Sequence, residues 1–361
     1  MNTFGRHLRL TTFGESHGPA MGGVLDGMPP RIRVDMDMVE AMLRRRRTGT
    51  SHLVSQRRES DIPEILSGVS PDGLTLGTPI GFIFRNTDAR SSDYDALKDH
   101  YRPNHADMAY DLRYGIRDHR GGGRASARET VSWVMGGALA MLVLREYGIT
   151  VRAKVTRIGP AEYSDPLAAA ITDPAHAALP DDPEVEKSML AEVEKARADR
   201  DSVGGRVSCL VTGVPAGLGS PVFGKLQSRL AQAMMGINAA KGFEYGIGEA
   251  ASRSRGSETL DPFNPGFFPL PTATGFSGGI SGGITTGMPV CFNVWFKPTP
   301  SIPRELEMAT PGGEIERVTL GGRHDPCVAL RAPVIVEAMT ALTLADVLLE
   351  SGMTLDRALK R

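Results

Sequence analysis

Cysteine, lysine and net charge are all scarce in this sequence. Its 361 residues include only three cysteines, Cys209, Cys291 and Cys327, which lie far apart and form no C-x-x-C pair. An odd number of widely spaced cysteines argues against a disulfide framework and against a cysteine zinc site, and it fits a reducing compartment. The formal net charge is −1, so no overall field is available to attract nucleic acid.

Long apolar runs and metal-binding spacings are also missing. The longest apolar run, residues 131–144, is too short to span a bilayer and predicts a buried core helix. The first residues carry no signal-peptide pattern. The sequence contains no spacing such as H-x-x-x-H, which would put two metal ligands on one helix face. These absences predict a cytoplasmic globular protein that uses neither a membrane nor a metal.

Arginine, in contrast, is abundant and clustered. Only eight of the 41 basic residues are lysine. Arginine clusters lie at residues 44–47 and 57–58 and between residues 113 and 128. A GC-rich genome explains scattered arginines, but clustered guanidinium groups can bind carboxylates or phosphate. For residues 44–47, a solvated helix C-terminus is the alternative interpretation.

Two segments of the chain repeat one pattern. Residues 66–84 read LSGVSPDGLTLGTPIGFIF and residues 276–294 read FSGGISGGITTGMPVCFNV, and one constant offset aligns Ser, Gly, Gly, Thr, Gly, Pro and Phe without gaps. Upstream of each copy stand a strand pattern, a Gly-x-Pro turn and a helix pattern. We predict a single domain over residues 1–361 with two related halves, about 1–150 and 200–350.

Each predicted half also contains an apolar helix. Segments 126–148 and 333–352 are too continuously apolar for a surface, so we expect them to pack together centrally. No βαβ series and no G-x-G-x-x-G after a strand is visible, which disfavours a doubly wound fold. The predicted fold class is α/β, of the α+β type, a sandwich with central helices between antiparallel sheets. The charged segment 181–205 predicts an exposed, capped helix between the halves.

The segment GESHG, residues 14–18, fits the G-x-S-x-G pattern of serine hydrolases. A nucleophile elbow needs a strand, a sharp turn and a helix. Here PAMGGVLDGMPP follows, and its glycines and prolines exclude a helix of useful length. We therefore interpret Ser16 and His17 as a polar pair on a loop where the backbone can approach a ligand closely. An ordinary hydrogen-bonded loop histidine is the alternative.

Two further histidines and a glycine triplet also lie in dense polar loops. His105 in RPNHAD and His324 in GRHDPC are candidates for acid–base work, because histidine titrates near neutrality. Three glycines precede Arg124, Ser126 and Arg128 at the predicted start of a helix. Backbone N–H groups, the helix dipole and two guanidinium groups predict an anion cradle there. A serine N-cap with ordinary flanking charges is the alternative.

Eleven segments follow one another along the chain: GESHG, RRRRTGTS, QRRESD, NTDARSSDY, RPNHAD, GGGRASARET, GVPAGLG, GINAAKGFEYG, GGISGG, KPTPS and GRHDPC. Together they resemble chorismate synthase over nearly the whole chain. The resemblance implies a homotetrameric cytoplasmic lyase that eliminates phosphate from 5-enolpyruvylshikimate 3-phosphate (EPSP) to give chorismate, the last step of the shikimate pathway to aromatic amino acids. It implies reduced FMN as a catalytic, non-consumed cofactor that lends electron density as the C3–O bond breaks and recovers it as the hydrogen at C6 leaves.

The same resemblance implies roles for five catalytic residues. His17 would protonate the departing phosphate, and His105 would stabilise the reduced, anionic flavin. Asp325 would assist proton removal through the flavin N5. Ser16 and Ser126 would orient these groups through hydrogen bonds, so that Ser16 positions and does not attack.

The resemblance also implies two binding sets. Arg46 and Arg47 would bind EPSP, which carries two carboxylates and a phosphate. The residues implied to hold FMN are Arg124, Ala125, Ser126, Asn238, Ala239, Gly282, Lys297, Pro298, Thr299, Pro300, Ser301 and Arg323.

A few positions depart from the usual pattern of the family. Asn104 stands where Gly or Ser is common, Ala125 replaces a frequent Ser, and His52 lies near a common Arg, which puts an NADP contact there in doubt. Some relatives reduce their flavin with NADPH, but no dinucleotide fingerprint is visible here, so we expect a separate flavin reductase as electron source. A flavin- or phosphate-binding protein without turnover and a phosphate-ester hydrolase are the alternative functions.

Overall fold

The structure is a computed structural model that describes residues 1–47, 61–86, 97–120, 122–319 and 325–353. His52, Arg323 and His324, which carry expectations from the sequence, lie outside these residues. The helices are Met36–Arg46 (α1), Asp107–Tyr114 (α2), Thr130–Glu146 (α3), Ala168–Thr172 (α4), Pro183–Ala198 (α5), Leu226–Met235 (α6) and Ala332–Glu350 (α7). The strands are Thr3–Phe4 (β1), Arg9–Gly14 (β2), Ala20–Asp26 (β3), Glu64–Ile65 (β4), Ile80–Arg85 (β5), Thr150–Ile158 (β6), Ala161–Glu162 (β7), Gly205–Thr212 (β8), Ala240–Tyr245 (β9), Ile280–Ser281 (β10), Ile284–Thr285 (β11), Val290–Phe296 (β12), Glu305–Ala309 (β13) and Ile315–Thr319 (β14).

The first sheet is antiparallel, with strand order β1-β2-β3-β5-β4. Strands β2 and β3 form a hairpin in which Arg9 pairs with Asp26 and Gly14 pairs with Met21. Successive residues of β2 alternate between exposed and buried, with Leu10 and Thr12 inside, as expected for a strand with one solvated face. The turn of this hairpin carries residues 15–18.

The second sheet is also antiparallel, with strand order β7-β6-β8-β12-β9. The two copies of the sequence repeat end in β5 and β12. Strand β5 pairs with β3 in the first sheet, and β12 pairs with β8 in the second. The α+β class with antiparallel sheets is therefore confirmed, whereas the boundaries of the two halves stay a prediction.

Helices fill the space between the sheets, and α3 and α7 form the centre of this layer. Helix α3 contacts β2 and β3, helix α7 contacts β6 and β8, and α1 and α6 flank them. The two central helices approach very closely at Gly137, where an added Cβ would lie 2.3 Å from Ala338 Cβ. The central pairing of the two apolar segments follows the expectation from the sequence.

In the described part of the chain, two helical segments are long and apolar enough to cross a membrane. They are Ala127–Glu146 and Ala332–Glu350, and 83% and 89% of their most apolar stretches are buried inside the fold. The core helix of a globular protein has the same length and composition. Their apolar character is therefore accounted for by the α3–α7 packing between the sheets.

Helix α5 lies at the periphery and has a well-formed N-terminus. Asp182 caps it by accepting a hydrogen bond from the Glu184 N–H at 2.9 Å, and Pro183 occupies the first turn. Only Met189 and Val193 of this helix are fully buried. The exposed, capped helix predicted between the two halves is confirmed in position and type.

The three cysteines are buried as thiols. Burial raises the pKa of Cys291 to about 12 and that of Cys327 to about 11, and it also raises the pKa of Cys209. Thiols with raised pKa values carry little of the reactive thiolate. We assign these residues to packing and not to chemistry.

Candidate active site

The turn between β2 and β3 holds Ser16 and His17 in contact. Ser16 is fully buried, and its Oγ lies 3.2 Å from His17 Nδ1. The Ser16 hydroxyl also donates to the Arg120 carbonyl oxygen at 3.5 Å, which lets its oxygen accept a hydrogen bond from the His17 Nδ1–H. Strand β3 follows this turn, so the strand–turn–helix order of a nucleophile elbow is not met.

Gly14 gives this turn its shape. Its φ of +98° lies in the region that favours glycine, and an added Cβ would lie 2.2 Å from the Ala20 carbonyl oxygen. The turn closes with a hydrogen bond from the Gly18 N–H to the Glu15 carbonyl at 2.9 Å. Gly14 is thus explained by its backbone conformation, whereas an added Cβ at Gly18 would make only ordinary contacts, with the Glu15 carbonyl oxygen nearest at 3.4 Å.

Asn86, which follows β5, ties this turn to the approach to α3. Its amide Nδ2 donates to the carbonyl oxygens of Glu15 and Gly18 at 3.2 and 2.8 Å. Its Oδ1 accepts from Arg128 Nε at 3.2 Å. One side chain therefore connects the backbone on both sides of His17 to a buried guanidinium group.

Arg46 and Arg128 meet at Asp61 in a buried ion cluster. Arg46 Nη1 donates to Asp61 Oδ2 at 2.7 Å, and Arg128 Nη1 donates to Asp61 Oδ1. Burial alone would raise the pKa of Asp61, but the charges of the two arginines outweigh it and hold that pKa below its usual range. Burial also lowers the pKa of Arg46 to about 10, partly opposed by Asp61.

Arg46, the last residue of α1, does not have the setting of a solvated helix end. The Arg46 side chain is only 4% exposed, and its Nε donates to Thr130 Oγ1 at 3.2 Å. Arg47 caps α1, with its N–H bonded to the Leu43 and Arg44 carbonyls. The solvated-end interpretation of residues 44–47 therefore does not hold for Arg46.

His105 lies in a network with Arg102 and Asp107. Asp107 accepts two hydrogen bonds from the Arg102 guanidinium, both at 2.8 Å, and its Oδ1 lies 2.8 Å from His105 Nδ1. Arg102 Nη2 lies 3.0 Å from the same Nδ1. Burial lowers the pKa of His105, with the Arg102 charge acting in the same direction and Asp107 opposing it. The imidazole is therefore neutral near pH 7.

Three loops implied to hold the flavin converge beside His105. Arg102 Nη1 donates to Ser301 Oγ at 3.2 Å, which brings residues 297–301 to the histidine. Lys297 donates from its N–H to the Ala239 carbonyl at 2.9 Å and from Nζ to the Asn104 carbonyl at 2.7 Å. These contacts bring together residues that are distant in sequence.

Two polar atoms at this junction have no hydrogen-bond partner among the described residues. Asn238 Nδ2 donates to the Ala125 carbonyl at 2.9 Å, but its buried Oδ1 accepts nothing. The buried Thr299 Oγ1 is unpaired as well. Unsatisfied buried polar atoms are costly, and a bound polar ligand would satisfy them.

A cationic pair completes this junction. Partial burial and the nearby Lys241 charge lower the pKa of Lys297. An anionic group bound here would reverse that shift, since opposite charges favour the ionised form. Together with the unpaired atoms, this chemistry fits a polar, phosphorylated cofactor such as FMN.

Residues 122–126 form the entrance to α3. Ser126 accepts from the Arg128 N–H at 3.2 Å, which makes it a helix cap. Arg124 donates to Glu129 Oε2 at 2.7 Å and to Thr12 Oγ1 at 2.9 Å, so it is tied to β2. A cavity of about 920 Å³ lies between these residues and the turn that begins at Gly14, and its lining includes Arg124 and Ala125.

Gly282 does not join the other flavin candidates within this chain. It lies at the tip of the β10–β11 hairpin, which packs at the start of α6, where the Leu226 N–H donates to the Gly283 carbonyl at 2.9 Å. Asn238 follows the other end of the same ten-residue helix. A helix of that size is about 15 Å long, so the two residues are separated by roughly that distance.

Asp325 is held by Arg331, whose Nη2 donates to its Oδ2. Pro326 follows Asp325, and its carbonyl oxygen accepts a hydrogen bond from the Val203 N–H at 2.8 Å. The neighbouring Ser202 donates to the Thr299 carbonyl at 2.7 Å. Asp325 is therefore connected to the flavin-candidate loop through one short segment.

Comparison with known proteins identifies the family. A family profile described as chorismate synthase matches residues 8–349. The chain is 47% identical over 353 residues to a chorismate synthase of Parabacteroides distasonis, with 97% of this chain and 98% of that protein covered. The chain belongs to the chorismate synthase family. Membership makes it a lyase and implies the final step of the shikimate pathway.

Other chorismate synthases show the same similarity in sequence and in structure. The enzyme of Porphyromonas gingivalis is 48% identical over 358 residues, with 97% of this chain and 96% of that protein covered. A crystal structure of a chorismate synthase superposes with a TM-score of 0.73 at 31% identity, covering 96% of this chain and 93% of that one. The sandwich fold is therefore that of the chorismate synthase family.

Three residues of this chorismate synthase site were missed by the sequence reasoning. Asp61, Asn86 and Asp107 each accept hydrogen bonds from an arginine that faces the candidate site. Each lies in or at the edge of a segment that carries the resemblance, namely QRRESD, NTDARSSDY and RPNHAD. The spacing of Asp107 two residues after His105 was the one local signal for a histidine partner.

Proposed function

We propose that this protein converts EPSP to chorismate by anti-1,4 elimination of phosphate, with reduced FMN as a cofactor that is not consumed. The observation that carries the proposal is the convergence of the His105 network with Asn238, Ala239 and the 297–301 loop. The unpaired atoms of Asn238 and Thr299 at this junction support a bound polar cofactor. Reduced FMN, when bound, supplies electron density to the breaking C3–O bond.

His17 is proposed as the general acid for the departing phosphate. A histidine acts well in this role because its pKa lies near the working pH. In the protonated ring, the Ser16 oxygen can accept a hydrogen bond from the His17 Nδ1–H, so the Nε2–H is the proton left for transfer, and the neutral ring then keeps its proton on Nδ1. Ser126, at the entrance to α3, would orient the neighbouring backbone as a helix cap.

His105 is proposed to donate a hydrogen bond to the reduced cofactor. Arg102 Nη2 faces His105 Nδ1, and an arginine can only donate. This contact favours the tautomer that carries its proton on Nε2, so a neutral His105 can act as a donor. Asp107 opposes that tautomer but stabilises the positive charge of a protonated ring.

Asp325 is proposed to assist removal of the proton at C6. Its carboxylate is oriented by Arg331 and connected to the 297–301 loop. Arg323, implied to bind FMN, lies outside the described residues. The remaining proposed cofactor ligands are Arg124, Ala125, Ser126, Ala239, Gly282, Lys297, Pro298, Pro300 and Ser301.

Arg46 and Arg47 are proposed to bind the substrate, whose two carboxylates and phosphate need several cations. Guanidinium groups pair with both kinds of anion through two parallel hydrogen bonds. Arg46 is buried against Asp61, so it would act from the floor of the site together with Arg128.

We also propose a cytoplasmic homotetramer that takes its reduced flavin from a separate reductase. The Gly282 hairpin supports assembly, since this residue is far from the other flavin candidates within one chain. Direct reduction by NADP-linked chemistry would need a nicotinamide contact, and the expected position near His52 departs from the family pattern.

An anaerobic assay with EPSP tests the function. The protein should yield chorismate with reduced FMN and give neither chorismate nor phosphate without it. Release of phosphate without flavin would indicate a hydrolase, and flavin binding without turnover would indicate a binding protein. His17→Ala should lower turnover by roughly 10²–10⁴, the range for a general acid. An equal loss of FMN affinity in that variant would contradict the role of His17.

A further inference from the structure

Among the described residues, Asp61 is the most completely enclosed charged group beside the candidate site. Its side chain is 0% exposed, and those of its partners Arg46 and Arg128 are 4% and 3% exposed. One carboxylate oxygen faces each guanidinium group, with Arg46 Nη1 at 2.7 Å from Oδ2 and Arg128 Nη1 on Oδ1. The carboxylate thus sets the separation of two cations that come from different elements.

Like charges this close require a counter-charge. Two buried guanidinium groups repel each other strongly in a medium of low dielectric, so neither would keep its place without an anion between them. Asp61 supplies that anion, and its pKa is lowered by the same two charges despite its burial. It is therefore ionised near neutral pH.

Each arginine has a second anchor that leads to a different part of the site. Arg46 Nε donates to Thr130 Oγ1 at 3.2 Å, at the first turn of α3. Arg128 Nε donates to Asn86 Oδ1, and Asn86 holds the turn that carries His17. The carboxylate of Asp61 is the point where these two connections meet.

The backbone at Asp61 also has an uncommon conformation. Its φ is +47°, in the left-handed region that asparagine and aspartate tolerate better than other side chains. Such conformations persist where the surroundings enforce them, and they cluster at functional sites. The same preference makes Asp61→Asn a conservative test, because asparagine accepts this backbone.

We infer that Asp61 is a positioning residue for substrate binding, which holds the guanidinium groups of Arg46 and Arg128 side by side for the anionic groups of the substrate. This inference rests on the proposed function. Recognition of a phosphorylated dicarboxylate would then depend on the aspartate that positions the arginines as well as on the arginines themselves.

The test compares Asp61→Asn with the wild-type enzyme in three measurements. KM for EPSP should rise about tenfold or more, since one misplaced charge-assisted contact is worth at least a factor of that size. The Kd for EPSP, measured by calorimetry with oxidised FMN present, should rise in parallel. The Kd for FMN should change by less than about threefold, because Asp61 contacts none of the flavin candidates that the structure describes.

Asp346→Asn is the matched control. Asp346 is 1% exposed and accepts hydrogen bonds from Arg229 and from the backbone N–H groups of residues 6–8. Loss of this buried carboxylate should lower the melting temperature and the amount of active enzyme. It should leave KM for EPSP unchanged. That is also the result expected for Asp61→Asn if Asp61 were merely structural.

Asp61→Glu covers the case in which Asp61→Asn does not fold. It keeps the charge but moves it by one methylene, and it should also raise KM for EPSP. An unchanged KM and Kd in Asp61→Asn, or in Asp61→Glu where only that variant folds, would overturn the inference. A wild-type enzyme that forms no chorismate with reduced FMN would instead overturn the proposed function.

Discussion

The imidazole of His105 lies between a cation and an anion that pull its protonation in opposite directions. Arg102 and Asp107 both approach Nδ1, at 3.0 and 2.8 Å. Burial is the largest influence and disfavours the charged ring, so the pKa falls below the ordinary value of 6.5. The unfolded chain therefore binds a proton at a higher pH than the native protein does. The stability from this group is complete above pH 6.5 and declines as pH falls towards the native pKa.

Asp107→Asn should lower the pKa of His105 further. The carboxylate is the only group in this network that favours the protonated ring, through its hydrogen bond and its charge. Titration of the imidazole nitrogens by NMR measures the shift. Asp111→Asn on the same helix is the control and should leave the His105 titration unchanged. A pKa that stays constant or rises in Asp107→Asn would contradict this account of the network.

The role of a residue could be predicted from the sequence only where the local backbone conformation explains that role. The two glycines around Ser16 and His17 marked a loop that turns tightly, and the structure has such a turn there. The role of Asp61 was not readable, because its partners come from the end of α1 and from the entrance to α3. Contacts between distant segments depend on tertiary packing, which no spacing in the sequence records.

At the level of elements, the close crossing of α3 and α7 depends on a glycine inside a helix. Glycine in a helix interior costs about 1 kcal/mol relative to alanine, so it needs a packing reason. At Gly137 an added Cβ would lie 2.3 Å from Ala338 Cβ and 2.4 Å from Ala338 Cα. Because a backbone atom is involved, rotation of a side chain cannot relieve the clash.

Gly137→Ala should therefore destabilise the protein by about 1–3 kcal/mol, the usual effect of overpacking a core. The midpoint of urea unfolding measures the change. Gly136→Ala is the matched control, since it has the same gain in helix propensity but meets the flexible end of Leu10, with Cδ2 at 2.8 Å. Equal midpoints for the two variants would show that the helix crossing tolerates the extra methyl group.

The long helices could be predicted from the sequence because their apolar character is continuous. Segments 126–148 and 333–352 predicted central helices, and α3 and α7 occupy them. Three of the five two-residue strands, β1, β4 and β7, gave no such signal. Their strand geometry comes from pairing with a neighbour and not from their own composition.

For the molecule as a whole, an exposed apolar loop distinguishes one face. Leu260, Phe263, Phe267 and Phe268 are all more than half exposed, and Phe267 is 97% exposed. Large exposed apolar patches on protein surfaces commonly mark sites of interaction. This surface supports the proposed assembly of several copies.

Sedimentation equilibrium should give a mass about four times the 38.7 kDa of one chain. Closed symmetric assemblies of identical chains are the common form of oligomer, and a tetramer of paired dimers is among the most frequent. The measurement should be made over a wide concentration range, with and without FMN. A mass of one chain at all concentrations would contradict the homotetramer.

The pairing of α3 with α7 has a consequence for how the protein is made. During synthesis the ribosome releases α3 long before α7, so the most apolar helix of the first half waits for a partner that has not yet been produced. The second sheet, which α7 contacts, and the face of α3 that packs on α7 stay uncovered until that partner arrives, and nascent chains with uncovered apolar segments aggregate readily. The native core therefore closes only late in translation, and chaperones would act chiefly in that interval.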